Sequence, residues 1–173
     1  MFGGWENFFF LVGSAAGALI GLIFVVITLT AGQDRLRVSR GTPVYVTPIV
    51  FHFAVVLVVS AISEIPGIPS FASGGIFAAC ALTGLAYAVV TTIRLCSSGW
   101  EDPKPEWSDK LFYGFLPTII YIALASAAAA LWVDARKAVF AIGIIMLALL
   151  MLGIRNAWDL ATALAQRMHE RHR

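Results

Sequence analysis

The sequence predicts an all-α integral membrane protein, a helical bundle of five transmembrane helices that forms one domain over residues 1–173. Three observations lead to this fold class. Apolar residues make up 60% of the chain, the mean hydropathy is +0.86, and charged residues are 13%, against about 25% in soluble domains. So few polar residues cannot cover a water-soluble globule, which excludes a soluble enzyme. A net charge of only +2 gives no reason to expect a nucleic-acid partner.

Five stretches without Asp, Glu, Lys or Arg are long enough to cross a bilayer. They contain 27, 23, 29, 23 and 17 residues, and a helix needs about 20 apolar residues to cross the hydrocarbon core. The fifth stretch is therefore at the lower limit. The predicted spans are 8–31, 44–64, 74–95, 112–133 and 138–158, followed by a cytoplasmic tail over 159–173. Continuous apolar runs without alternation indicate helices rather than membrane strands.

The distribution of basic residues predicts the orientation. With the N-terminus outside, ten of the 12 Lys and Arg residues are cytoplasmic, and only Arg136 and Lys137 are external. The positive-inside rule therefore favours an external N-terminus and a cytoplasmic C-terminus. In the last segment, Arg155 and Asp159 are spaced i,i+4, which predicts an ion pair at the interface.

Span 1 contains three glycines in a GxxxGxxxG register, Gly13, Gly17 and Gly21. Small residues at this spacing allow two helix backbones to approach closely in lipid. Two interpretations stay open for this helix-packing face. It forms a contact between protomers, or it packs against a neighbouring span of the same chain.

Span 2 is the most polar crossing. At about 100° per residue, Tyr45, His52, Ser60 and Ser63 form one stripe, and Glu64 lies at its external end. His52 is the one potentially charged side chain well inside any span. An ionisable group in this position suggests a functional site. The alternative is a neutral imidazole that one hydroxyl satisfies in a packed bundle.

Spans 3 and 4 have polar stripes that reach a similar depth. Tyr87, Thr118 and Tyr121 are each placed about 10–15 Å from the cytoplasmic boundary by the helical rise, close to the depth of His52. We expect tyrosine hydroxyls to be partners of the histidine ring nitrogens. The candidate pore or polar-layer residues are His52, Tyr45, Ser60, Ser63, Glu64, Tyr87, Thr91, Thr118 and Tyr121.

The sequence contains no motif of known chemistry. HExxH, GxSxG, the P-loop and cysteine pairs with metal spacing are all absent from it. We therefore predict no catalytic residue, no metal site and no cofactor, and an enzyme is the least favoured class.

Two stretches, GSAAGALIGLIFVVITL in span 1 and TPIVFHFAVVL in span 2, resemble those of small polytopic inner-membrane proteins of bacteria. The resemblance implies a multi-pass protein of the bacterial inner membrane. Because no defined activity accompanies it, it transfers no catalytic or binding residue.

Two functions fit these patterns. The first is a lipid-embedded homo-oligomer with channel-like character, in which the stripes of spans 2 and 3 line a narrow path. The second is a non-catalytic accessory or regulatory subunit of a larger membrane complex. Such a subunit would dock through the glycine face or through the Trp-rich loop after span 3.

Overall fold

A computed structural model describes residues 2–31, 42–97 and 106–171 of the chain. Five helices occupy these ranges: α1 (Glu6–Ala31), α2 (Thr42–Ser63), α3 (Ser70–Cys96), α4 (Trp107–Ala130) and α5 (Ala135–Arg171). No strand occurs in the described ranges, so the predicted all-α class is confirmed.

Four of the helices, α1, α3, α4 and α5, are long and apolar enough to cross a membrane. The apolar part of α2 is shorter and covers Thr47–Ser63. These helices fit a multi-pass membrane protein.

The helix bounds differ from the predicted spans mainly at the C-terminal end. The fifth stretch, the shortest by charge spacing, belongs to the longest helix, whose 37 residues continue through most of the predicted tail. Charged residues end an apolar window but do not end a helix, because Lys, Arg and Glu are good helix formers. Conversely, α4 ends at Ala130 instead of residue 133, since residues 131–133 form a turn.

Successive helices pack in antiparallel pairs. Gly13 of α1 lies opposite Ser60 of α2, and Gly17 lies near Leu57. Because the position increases along α1 while it decreases along α2, these two helices are antiparallel. At one end of the bundle, ring contacts join Phe2 to Phe77 and Trp5 to Phe140. The N-terminal end of α1 therefore lies beside the beginnings of α3 and α5.

Helix α2 lies at the centre of the bundle. Three consecutive side chains leave it about 100° apart and reach three different helices. Phe51 stacks on Tyr87 of α3, His52 contacts Tyr121 of α4, and Phe53 packs on Gly153 of α5. The most polar helix thus has protein neighbours on several sides and exposes Leu57 and Val58, whereas α1 exposes Phe10, Leu11, Leu22, Phe24 and Val25.

The first turns of α4 contain a π-helical segment. A capping box of Glu106 and Asp109 begins the helix, and Lys110–Phe115 then adopts π geometry before α geometry resumes at Leu116. The backbone N–H of Leu116 donates to the carbonyl of Leu111, five residues earlier. Such single π segments are rare and frequently lie at functional sites.

Candidate functional site

The centre of the bundle contains a buried histidine–tyrosine pair. Nδ1 of His52 lies 2.8 Å from the hydroxyl oxygen of Tyr121. His52 is 1% exposed and Tyr121 is fully buried. The hydrogen bond joins the polar face of α2 to α4, which is the type of partnership that the common depth of these residues predicts.

Glycine at position 84 allows Tyr121 to reach α2. The Tyr121 ring lies directly against Gly84 of α3, where a Cβ would overlap ring carbons. Phe51 of α2 also lies near the ring, with centroids 6.3 Å apart. The ring therefore occupies a slot between α2 and α3, and the tightness of this slot determines where its hydroxyl lies.

The donor and acceptor roles in this hydrogen bond depend on the tautomer of His52. A phenol has one O–H donor and needs an acceptor when it is buried. Among the described hydrogen bonds, Nδ1 of His52 is the partner of the Tyr121 hydroxyl. If the phenol donates to Nδ1, the imidazole proton lies on Nε2. Nε2 is buried and has no hydrogen-bond partner among the described residues.

The other members of the expected layer make different contacts. Tyr87 stacks on Phe51 with centroids 5.5 Å apart, so the Phe51 ring connects Tyr87 to the pair. Thr118 donates to the carbonyl of Gly114 in its own helix at 2.9 Å. Thr91 is buried on α3. The layer thus brings Tyr121 to His52 directly, while Thr118 is used locally.

The remaining residues of the α2 stripe, toward the two ends of the helix, have different surroundings. Ser63 donates to the carbonyl of Val59 at 2.8 Å. Ser60 is buried with no hydrogen-bond partner for its hydroxyl, and Glu64 has one buried carboxylate oxygen in the same condition, among the described residues. Tyr45 lies in the first turns of α2, and its side chain is outside the described part of the structure.

The three glycines of α1 have different surroundings. A Cβ at Gly13 would lie 2.8 Å from Cβ of Ser60, so this glycine allows close approach of α1 and α2 within one chain. At Gly17 the nearest atom is a methyl carbon of Leu57 at 3.9 Å, and at Gly21 nothing lies within 4 Å. The register therefore passes from a tight intramolecular contact to open space.

A second polar cluster connects α4 and α5 at the end of the bundle opposite to Ser60 and Glu64. The predicted ion pair is present, with Arg155 Nη1 lying 2.9 Å from Asp159 Oδ2. The Arg155 guanidinium also lies over the Phe112 ring, 3.4 Å from its centroid, and donates to the Ser108 hydroxyl at 3.2 Å. Such stacking of a guanidinium on an aromatic face is a cation–π contact.

Asn156 is a buried polar residue that was not predicted from the sequence. It is fully buried, and its Nδ2 donates to the carbonyl of Phe112 at 3.1 Å. Pro117, five residues after Phe112, has no N–H and so cannot supply a π-type hydrogen bond. The Tyr113 hydroxyl in turn donates to the carbonyl of Asn156 at 2.9 Å. An amide two positions beyond an apolar run, opposite a proline-containing helix, was the available signal.

The geometry therefore offers two polar centres in an apolar bundle. The His52–Tyr121 pair can hold or release a proton at a buried ring nitrogen, whereas the Arg155–Asn156 cluster ties two helices together. No protein-family model matches this chain, and no curated protein or solved structure matches it either.

Proposed function

We propose that this chain is a homo-oligomeric multi-pass protein of the bacterial inner membrane with channel-like character. The observation that carries the proposal is the His52–Tyr121 pair, a buried ionisable group in the middle of the most polar helix. Ionisable residues at such depth are expensive and mark ion or proton pathways in membrane proteins.

The proposed path lies beside α2 and within each protomer. His52, Ser60 and Ser63 are all buried inside a single chain. His52 and Ser63 would line a path between the helices of one protomer rather than a pore on an oligomer axis, whereas Ser60 is turned toward α1. Thr91 of α3 is a further buried hydroxyl that can contribute to the lining. Small hydroxyls and one imidazole, without a ring of carboxylates, favour weak selectivity.

Protonation of His52 would regulate this path. In this proposal the buried imidazole is neutral at rest, and water that enters the layer allows the ring to gain a proton. Each protomer would then carry one positive charge inside the path, which favours anions.

Flux through reconstituted liposomes tests this function. We expect chloride flux in the wild type that increases as the medium is acidified, because protonation of the imidazole places a positive charge in the path. The flux should vanish in both His52→Gln and His52→Leu, while Ser126→Ala on the exposed face of α4 behaves as wild type. Absence of flux in the wild type at every pH and voltage would contradict the proposal.

Five crossings with an external N-terminus form the topological part of the proposal. The antiparallel pairing of the helices supports an alternating path through the membrane. A reporter that is active only in the periplasm should work after Pro69 and fail after Trp100 and at Arg173. Activity at the C-terminus would contradict both the number of crossings and the orientation.

One observation favours the alternative of a non-catalytic accessory subunit. Val56 lies between His52 and Ser60 on α2, is 0% exposed, and interrupts the polar face with an apolar side chain. In an accessory subunit the pair would only order the core. The mass of the detergent-solubilised protein separates the two roles, because a particle that contains only copies of this chain supports the proposed homo-oligomeric channel. A monomer that co-purifies with a larger complex supports the accessory role.

A further inference from the structure

A surface cleft separates α1 from α2 near the end of α2. Its volume is about 270 Å³, and its lining includes Phe10, Gly13, Gly17, Leu57, Ser60 and Glu64. Phe10 and Leu57 are 69% and 38% exposed, so the cleft opens on the outer surface of the bundle. The cleft is distinct from the His52–Tyr121 pair, which faces α4.

One end of the cleft carries two unpaired oxygen atoms. The Ser60 hydroxyl and one carboxylate oxygen of Glu64 are buried and have no hydrogen-bond partner among the described residues. Ser60 is only 1% exposed although it lines the cleft. The two residues are spaced i,i+4, so both side chains lie on the face of α2 that is turned to α1. Buried polar atoms without partners are rare and call for a ligand or water.

The other end of the cleft is apolar. Gly17, Ala18 and Leu57 lie about one turn deeper than Ser60 and Gly13 along the antiparallel helices. No Lys or Arg residue is among those that line the cleft. The site therefore combines an acidic, acceptor-rich mouth with a hydrocarbon-like interior.

We propose that this cleft binds the primary ammonium group of an amphiphilic amine. An ammonium has three N–H donors and no acceptor. It can donate to the Glu64 carboxylate and to the Ser60 hydroxyl at once, and hydrogen bonds between charged groups are the stronger kind. The alkyl chain of the amine then lies along Gly13, Gly17 and Leu57. The same ammonium chemistry occurs in free alkylamines and in the headgroup of phosphatidylethanolamine.

Hexylammonium is the probe that tests the site, with the protein in phosphatidylcholine nanodiscs that contain no primary amine. We expect hexylammonium to raise the Tm in a saturable manner, as a ligand of the native state does. Hexanol, which has the same chain without the charge, should not. Equal shifts by hexanol and hexylammonium would overturn the proposal.

Variants assign the shift to the cleft. Glu64→Gln should weaken the hexylammonium affinity about tenfold or more, since it removes a charged partner, and Ser60→Ala should weaken it less. Glu64→Asp retains the charge and should retain most of the binding. It thus checks that a loss in Glu64→Gln is not a loss of folding. Glu6→Gln, an exposed carboxylate at the same end of the bundle, is the matched control. Wild-type affinity in Glu64→Gln would overturn the proposal.

Nanodiscs that contain phosphatidylethanolamine identify the source of the ammonium. A lower apparent affinity for hexylammonium in these discs supports binding of the lipid headgroup by competition, and an unchanged affinity supports a free amine. Ligand binding is measured without flux, so its failure leaves the proposed channel function untouched.

Discussion

Nδ1 of His52 and the hydroxyl oxygen of Tyr121 lie 2.8 Å apart although 69 positions separate them in the sequence. The pair is a direct polar link between α2 and α4 in the core. Removing the Tyr121 hydroxyl leaves a buried imidazole nitrogen unpaired, which costs about 1–3 kcal/mol. We expect Tyr121→Phe to lower thermal stability in detergent by a corresponding amount.

A double-mutant cycle separates this hydrogen bond from packing. The combination of His52→Leu with Tyr121→Phe should be less destabilising than the sum of the two single changes, because the second change removes a group that is already unpaired. Strict additivity would show that the two groups do not interact in the folded protein.

Gly84 should be intolerant of any side chain. A Cβ there would overlap the Tyr121 ring, and overpacking of this kind typically costs about 1–3 kcal/mol. We therefore expect Gly84→Ala to lower the Tm and to change the pH dependence of flux by displacing the hydroxyl from His52. Gly75→Ala on the same helix, where nothing lies within 4 Å, is the matched control and should retain wild-type stability. Equal stability of the two variants would contradict the slot between α2 and α3.

The glycines of α1 should separate folding from self-association. Gly13→Ala places a Cβ 2.8 Å from that of Ser60, so it should destabilise the chain itself. Gly21→Leu meets open space and should leave the thermal stability of the protomer unchanged. If α1 forms the protomer contact, Gly21→Leu will also reduce the oligomer mass measured in detergent. An unchanged mass together with unchanged stability would place Gly21 against lipid.

Asn156 should be more important for stability than its position at the end of an apolar run suggests. Asn156→Ala removes the donor to the Phe112 carbonyl and the acceptor for Arg155 Nη1. Buried polar groups left without partners cost about 1–3 kcal/mol, so the Tm should fall. Thr162→Ala, which alters a hydroxyl bonded within its own exposed turn, is the control and should change the Tm little.

Asp134 should make stability depend on pH at the start of α5. Its carboxylate accepts a hydrogen bond from the backbone N–H of Lys137 at 3.2 Å. It also forms an ion pair with the Lys137 ammonium group, whose nitrogen lies 3.1 Å from Oδ2. Lys137 holds the pKa of the Asp134 carboxyl below the usual value of 3.8. It does so mainly through the hydrogen bond from its side chain, and also through the hydrogen bond from its backbone N–H and its positive charge.

The stabilisation from Asp134 is therefore present above pH 3.8 and disappears as the pH falls through the lower folded-state value. Asp134→Asn keeps an oxygen that can cap the helix but loses the charge. The Tm difference between wild type and Asp134→Asn should be constant from pH 5 upward and shrink below about pH 4. A difference that persists undiminished under acid would contradict the assignment.

Much of the candidate site was accessible from helical periodicity, with clear exceptions. Depth and face were sufficient to place Tyr121 near His52, because rise and rotation per residue are constant in a helix. The same reasoning grouped Thr118 with them, but its hydroxyl donates to the Gly114 carbonyl instead. Serine and threonine in apolar helices commonly satisfy themselves in this way. The amide next to an apolar run was a signal for Asn156, but its partner could not be anticipated, since the Phe112 carbonyl lies in a π segment of another helix.

The sequence by itself determined the all-helical class, the approximate bounds of the helices and the exceptional position of His52. These follow from length, charge spacing and the requirement that backbone polar groups be satisfied within each segment. Only the tertiary structure decided which helix each face meets. It placed α2 at the centre, directed Phe51, His52 and Phe53 to three different helices, and turned Gly13 toward Ser60 within the chain. The physical reason is that lipid and protein interior are equally apolar, so hydrophobicity does not distinguish the two sides of a membrane helix. Close packing, here at Gly13 and Gly84, makes that distinction.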